Sequence, residues 1–484
     1  MKKFWIVLLS MGLLAAFSIP AFAIDVKFSG EYRVRGWYDN NPSALENKAA
    51  SNAAVAAAGF YAGAAKNAGA ERSASFYDQR LRIQTDFVVA EGLTLTTRFD
   101  ALEKKWGGIV TPAIGGAGAV GKDSSGRSSS ALGGDRYDEN IEFERAYVTF
   151  KSPIGLWIVG YQQFLAFGPD VANSSSSVPG IKYVLPIGDL ALIAAIEKRG
   201  ESDNGINIGS WSDADQDVYD LGFVYKLGKI GDLGLMIQHA QARQGRPVAA
   251  FGLDLGSKQT FTAFDPYVRL NLGPVFIEAE GMYLDGKLDW DNDANAALVP
   301  PALGGPLKDA DLEEIAAFVH ARVDLAPVYF GVYAGYASGD DRNTNDIEGG
   351  LAVALKAGSD FKPCLMLFND DYATQFAGTT GVASLGSYMN NIQFGQLYVG
   401  VKPTPKLDVK ASYSYAKANE RAIDNQKKDY GSEIDLTASY KIYDNLEYMV
   451  GGAYFMTGDW FKRGQAAIEI EDDYMLMHKL TLKF

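Results

Sequence analysis

Six arginines early in the chain follow one habit of spacing: Arg33 and Arg35, Arg80 and Arg82, then Arg98 and Arg145. The first four alternate with apolar neighbours, Tyr32 and Val34 in one stretch, Leu81 and Ile83 in the next. A guanidinium is always charged and donates through a rigid fork, so such an array suits recognition of anions or ordering of water rather than proton transfer. Asp265, Glu278, Glu280 and Asp324 occupy the wet positions of three later stretches, with Arg269 and Arg322 among them. A basic wall facing an acidic one would set a transverse field across the space between. In the plainer reading each charge pairs with a neighbour, Arg82 with Asp100 for example.

Covalent chemistry is poorly served. The only histidines are His239, His320 and His478. His320 shares parity with Arg322 and Asp324, so a His/Asp pair is conceivable, but no nucleophile motif stands near it. Gly115 to Gly121 is rich in Gly and Ala without the strand-then-helix setting of a phosphate loop. The single cysteine, Cys364, excludes an internal disulfide, a cluster of metal-bound thiolates and attached haem. Asp285, Asp289, Asp291 and Asp293 form an acidic run where calcium or lipopolysaccharide-bridging cations would fit, yet its spacing matches no defined cation loop. The expectation is no catalytic residue, no metal ligand and no cofactor.

The elements that must carry these charges are strands. From Ile24 onward, apolar and polar residues alternate in segments of about 10 to 15 residues, the length a tilted strand needs to cross an apolar layer. The alternation places strands near 24–37, 76–90, 93–104, 139–151, 156–166, 180–187, 190–199, 217–228, 233–244, 260–272, 275–289, 312–325, 328–338, 390–402, 406–417, 431–443, 446–457 and 469–484. That makes eighteen, or sixteen if 180–199, apolar on both parities, is a loop.

Connections alternate strictly between long and short. Glu91-Gly92, Gly188-Asp189, Gly273-Pro274 and Asp444-Asn445 are tight turns, whereas 38–75, 105–138, 167–179 and 340–388 are long. A soluble sandwich has no reason to segregate loop length in this way. A closed, antiparallel up-and-down transmembrane β-barrel does, with short periplasmic turns and long extracellular loops. Two loops, 105–138 and 167–179, are expected to fold inward, because the first carries Ile109, Val110 and Ile114 among its Gly, Ala and Ser. Tyr32, Tyr413, Tyr440, Tyr454 and Tyr474 are expected to face outward as belts.

The N-terminus reads as a secretory leader. Lys2 and Lys3 precede an apolar run, and Ala21-Phe22-Ala23 supplies a small-x-small cleavage site. Residues 1–23 are therefore the signal peptide and 24–484 the barrel. Losing Lys2 and Lys3 takes the formal charge from −14 to −16, which argues against a nucleic-acid partner. A leader, a strand-like C-terminus and no long apolar helix point to the bacterial outer membrane.

Two sets of residues carry a resemblance. The terminal strand, with Tyr474, Leu476, Leu480, Leu482 and Phe484 on one parity and His478 as the departure, resembles the closing strand of outer-membrane barrels. Gln79-Arg80-Leu81-Arg82 running on to Arg98-Phe99-Asp100, and Phe143-Glu144-Arg145-Ala146-Tyr147 running on to Gly160-Tyr161-Gln162, resemble the early strands of proteobacterial porins. Tyr161 stands where that family places an arginine, so one pore arginine is missing. The resemblance implies a passive, water-filled diffusion channel for ions and small hydrophilic solutes, often trimeric. It implies as partners outer-membrane lipid, lipopolysaccharide, and the assembly machinery that reads a strand ending at Phe484. The pore-lining set would be Arg33, Arg35, Arg80, Arg82, Arg98, Arg145, Asp265, Glu278, Glu280 and Asp324. Alternatives are a substrate-specific channel or a sleeve around a partner such as a secreted cytochrome. A middle solidly filled by apolar side chains would exclude a channel.

Overall fold

The structure, a computed structural model, describes residues 24–484 apart from 47–72, 107–120, 123–127, 130–140, 164–166, 171–176, 202–214, 244–248, 251–252, 255, 292–295, 299–306, 351–357, 359, 377–380 and 387–388. The predicted signal peptide, the Ala-rich stretch 43–70 beyond Glu46, and most of the 105–138 loop fall outside the described residues.

Eighteen strands form one antiparallel sheet. They are β1 (Asp25–Asp39), β2 (Ala74–Ala90), β3 (Leu93–Lys105), β4 (Ile141–Ser152), β5 (Gly155–Gln163), β6 (Ser177–Ile187), β7 (Leu190–Gly200), β8 (Gln216–Lys226), β9 (Gly231–Ala242), β10 (Ser257–Leu272), β11 (Val275–Trp290), β12 (Ala310–Leu325), β13 (Val328–Ala337), β14 (Ile392–Thr404), β15 (Leu407–Lys417), β16 (Asp429–Tyr443), β17 (Leu446–Thr457) and β18 (Asp473–Lys483). Each pairs with its neighbours in sequence. The ring closes where β18 meets β1, from Glu31 opposite Lys483 to Asp39 opposite Met475. At the seam, Gly30 N–H donates to the Phe484 carbonyl at 2.8 Å, and Phe484 N–H donates back to Gly30 at 3.1 Å. Closure leaves no sheet edge, the condition for a β-structure in lipid.

The pleat sorts side chains as the alternation requires. Leu397 and Val399, Ile434 and Leu436, and Leu476 face outward and are exposed, while Gln396, Tyr398, Glu433, Asp435 and Met475 between them are buried. A cation at the midplane of such an outer face would cost about 2–4 kcal/mol, which is why that parity is apolar. Aromatic residues gather at the two margins. Tyr440, Tyr443, Tyr225 and Trp157 lie near the short turns; Tyr413, Tyr415, Tyr454, Tyr474 and Tyr219 lie toward the long loops. Of the expected belt tyrosines only Tyr32 is partly covered, its hydroxyl 3.5 Å from the Gln79 side chain.

Three expectations are resolved here. The doubly apolar pair exists as β6 and β7, so the count is eighteen. Its inner face is apolar only in part: Ile193 packs on a cluster of Phe167, Val178, Met236 and Tyr267, while Glu197 on the same face of β7 lies 3.1 Å from Arg199. Tyr161 is exposed on the outer parity of β5, and its neighbour Gln162 is the residue turned inward. It is therefore a belt residue rather than a vacant pore position. His478 lies outside too, edge-on to Tyr77 at 5.4 Å and tilted on Tyr448 at 5.8 Å. Its ring covers Gly36 of β1, where a Cβ would fall 2.3 Å from Nε2.

That contact tests the seam register. Gly36→Val should destabilise the barrel by about 1–3 kcal/mol through overpacking, and His478→Ala in the same chain should recover most of the loss. Urea unfolding followed by gel mobility reads both; an unaffected Gly36→Val chain would mean that β1 and β18 are differently registered.

Candidate pore constriction

All six predicted arginines lie on the inner parity of β1 to β4, where Arg35, Arg80, Arg82 and Arg98 form rungs with carboxylates instead of a bare basic wall. Arg35 Nε donates to Asp78 at 3.0 Å, and Arg80 lies 3.1 Å from Glu31. Arg82 grips Asp100 through two bonds of 2.7 Å and reaches Glu144 at 3.0 Å. Arg98 Nε donates to the other Glu144 oxygen at 2.7 Å. Arg145, further round, donates to Gln163 at 3.0 Å and Ser177 at 3.3 Å. Strand pairing generates the ladder. With Arg33 opposite Arg80 and Arg82 opposite both Glu31 and Asp100, acids and bases interleave along one slant.

Half a turn round the ring, β10 to β12 bring the predicted acids together. Asp265 and Glu280 are buried, and Glu278 holds His320 Nδ1 at 2.9 Å while lying 3.6 Å from Arg269. The His320 ring stacks flat on Tyr333 at 3.8 Å, with Nε2 2.7 Å from the Tyr398 hydroxyl. The conceivable His/Asp pair therefore does not form: His320 takes Glu278, and Asp324 takes Arg322, Nε to Oδ1 at 3.0 Å. Asp324 is half exposed near the short turns, away from Asp265. Asp285 and Asp289 lie on the outer parity of β11 toward its long-loop end, and Asp293 is outside the described residues.

Of the two loops expected inside, the described part of 167–179 enters the barrel. Phe167 packs edge-on to Tyr267 at 4.9 Å, and Asp170 N–H donates to Glu280 at 2.7 Å. The larger insertion is one the alternation did not single out, the β13–β14 connection. Its run Phe361 to Phe368 buries Phe361, Cys364, Met366, Leu367 and Phe368 against Phe318, Phe394, Phe455 and Met475 of the inner wall. A short helix, α1 (Asp370–Gln375), capped by Asn369, follows. Its Asp371 lies 2.9 Å from Arg35 and 3.8 Å from Arg33, and Tyr372 donates to Asp39 at 2.7 Å. The Gln375 carbonyl accepts from Lys105 at 3.2 Å, and Phe376 packs on Trp37 and Phe76. Burial disfavours the Asp371 carboxylate, but Arg35 and Arg33 outweigh it and hold the group well below the usual carboxylate range.

A signal for this plug is present in the sequence. Cys364-Leu365-Met366-Leu367-Phe368 is too greasy for a solvated loop, the same logic that marks Ile109, Val110 and Ile114 in 105–138. The β13–β14 connection thus lays an apolar layer inside the extracellular half, beside the Arg35–Asp371 and Arg35–Asp78 pairs, rather than filling the whole middle of the barrel. In the periplasmic half Arg82, Arg322 and Asp324 remain 23%, 31% and 49% exposed.

No protein-family model and no curated protein matches the sequence. Among solved structures, the chain is similar to OccK9 (OpdG) of Pseudomonas aeruginosa at 14% identity and a TM-score of 0.49, over 95% of this chain and 99% of that one. A BenF-like porin from Pseudomonas fluorescens gives 13% and 0.46, over 95% and 99%. OmpT, an outer membrane protein of Vibrio cholerae, gives 10% and 0.39, again over 95% and 99%. What fits this chain to the outer membrane is its own closed sheet, apolar exterior and segregated loops.

The inserted segment at Asp170 should respond to pH. Burial, then Glu278 and Glu280, push its carboxyl up to about 7. A raised folded pKa means that docking is favoured while the proton is held and weakens as pH rises through that value. Limited proteolysis of the 167–179 loop should therefore speed up roughly tenfold between about pH 6 and about pH 8.5, while Asp170→Asn shows no such rise beyond the protease's own pH response. Equal pH responses in both chains would sink the assignment.

Proposed function

We propose that the chain is an outer-membrane channel for ions and small hydrophilic solutes, narrowed between the inserted β13–β14 loop and the charged walls. The single observation that supports this most is the wet, charged inner parity of a closed ring of eighteen strands, the size at which a lumen survives its own side chains. In this reading Arg33, Arg35, Arg80, Arg82, Arg98 and Arg145 line one side, and Asp265, Glu278, Glu280 and Asp324 the other. Permeation follows lumen width and wall charge, with no covalent step.

The apolar layer that the β13–β14 loop adds inside the extracellular half argues for a narrow passage and favours a second reading, a substrate-selective channel. The two differ in behaviour: a general pore conducts in proportion to solute concentration, whereas a selective one saturates. Lipid and lipopolysaccharide around the apolar exterior, delivery through the strand ending at Phe484, and a homotrimer belong to the same proposal; among the described residues no feature favours the sleeve around a partner cytochrome.

Planar-bilayer recordings with a salt gradient test the channel. The wild-type chain should conduct, and Glu278→Gln/Glu280→Gln should shift the reversal potential toward anion preference. Truncating Arg33 and Arg80 to Ala should shift it the opposite way. A folded, inserted chain that passes no current would end the channel reading, and an unmoved reversal potential would take those carboxylates off the permeation path.

A further inference from the structure

Where the inserted loop meets the wall, three buried side chains converge that the channel reading does not use. Cys364 comes from the loop, and Glu433 and Asp435 stand two residues apart on the inner face of β16. One ligand atom from each, the Cys364 Sγ and a carboxylate oxygen from either acid, all lie within 4.8 Å of one another. All three are buried, Asp435 to 3% exposure.

The hydrogen bonds around them are unevenly filled. Glu433 accepts the backbone N–H groups of Leu365, Met366 and Leu367 at 3.0, 2.8 and 2.7 Å. Asp435 Oδ2 accepts from Ser412 at 3.1 Å, and its carboxyl lies in hydrogen-bond contact with that of Glu433, so with both groups ionised Oδ1 has no donor. Cys364 Sγ lies 3.2 Å from the Ser414 hydroxyl and 3.5 Å from Gln396 Nε2. The ammonium of Lys410, on the adjacent strand, lies over the Tyr398 ring at 5.5 Å, near enough for its charge to act on Asp435 and Cys364 but without forming a direct ion pair. Two adjacent carboxylates, one with an orphaned oxygen, are costly to bury unless a positive charge or a shared proton compensates them.

We propose that Cys364, Glu433 and Asp435 bind a divalent cation of zinc type, which locks the inserted loop to β16. The donor set argues for that class. One thiolate with two carboxylates suits a borderline-soft ion and suits calcium or magnesium poorly. Separations below 4.8 Å match ligands around a tetrahedral ion whose bonds are about 2.0–2.3 Å. Ser414 stands beside the sulfur as a nearby oxygen for the fourth position. Binding displaces the Cys364 thiol proton to solvent, and the Gln396 amide can then donate to the thiolate. The three loop N–H groups already orient Glu433. A single cysteine rules out a multi-thiolate cluster but not this mixed site.

The test uses the full mature chain in detergent, refolded with Zn²⁺ or with Co²⁺ and then desalted. Wild type should retain a stoichiometric equivalent of metal, and the cobalt form should show a near-ultraviolet thiolate-to-cobalt charge-transfer band. Cys364→Ser should lose the band, Asp435→Asn should lose the metal, and Gln396→Ala should weaken binding by about 10–100-fold. If the variants do not fold, the wild-type cobalt spectrum decides alone. Folded wild type with no retained metal and no band would overturn the proposal in favour of a proton shared between Glu433 and Asp435. So would a cobalt spectrum that Cys364→Ser leaves unchanged. Both readouts are independent of conductance, so they can fail while the channel reading stands.

Discussion

Every backbone amide of a strand in lipid must find its partner inside the protein, since each orphaned group there costs several kcal/mol. That demand accounts for the antiparallel neighbours, the strict alternation of turn and loop, and the return of β18 to β1. The seam is the most exposed expression of it. Gly36 and His478, and the exchange of bonds between Gly30 and Phe484, bring two chain ends into one continuous ladder. With the backbone satisfied by closure, the outer parity is free to be mostly apolar across the lipid layer and the inner parity free to carry charge.

The interior then faces a different constraint. A ring of this circumference leaves more space than its own side chains fill, and the two halves use that space differently. Toward the short turns the walls keep exposed charge, arranged as ion pairs between neighbouring strands, Arg82 with Asp100, or along one strand, Arg322 with Asp324. Toward the long loops the β13–β14 connection supplies a second apolar layer, anchored at one end by Glu433 on three backbone N–H groups and at the other by Arg35 on Asp371. The anchors differ in kind. Glu433 caps backbone that would otherwise be buried unpaired, whereas Asp371 draws its carboxylate into an arginine pair that burial alone would oppose.

The arginine rows show how far pairing alters a wall read residue by residue. Six guanidiniums on one parity suggest a strongly basic surface. Their cross-strand partners Glu31, Asp78, Asp100 and Glu144 turn it into a ladder of fixed dipoles with modest net charge. The acids opposite keep fewer cations about them, so the asymmetry across the lumen lies more in pairing than in sign.

Sequence alone determined the strands, their number within one hairpin, the side each faces, and the inward placement of Arg33 to Arg145 and of Asp265 to Asp324, because a period of two is a local property of neighbouring residues. Register, which depends on two distant strands at once, was out of reach, and with it the partners of each charge: His320 met Glu278 and Tyr398 instead of Asp324. The β13–β14 plug was legible in principle from the run Cys364 to Phe368, yet where it lands depends on the space that closure leaves. The meeting of Cys364 with Glu433 and Asp435, some seventy residues away in the chain, was decided by tertiary structure alone. No local pattern can encode which inward-facing acid a folded-in loop will touch.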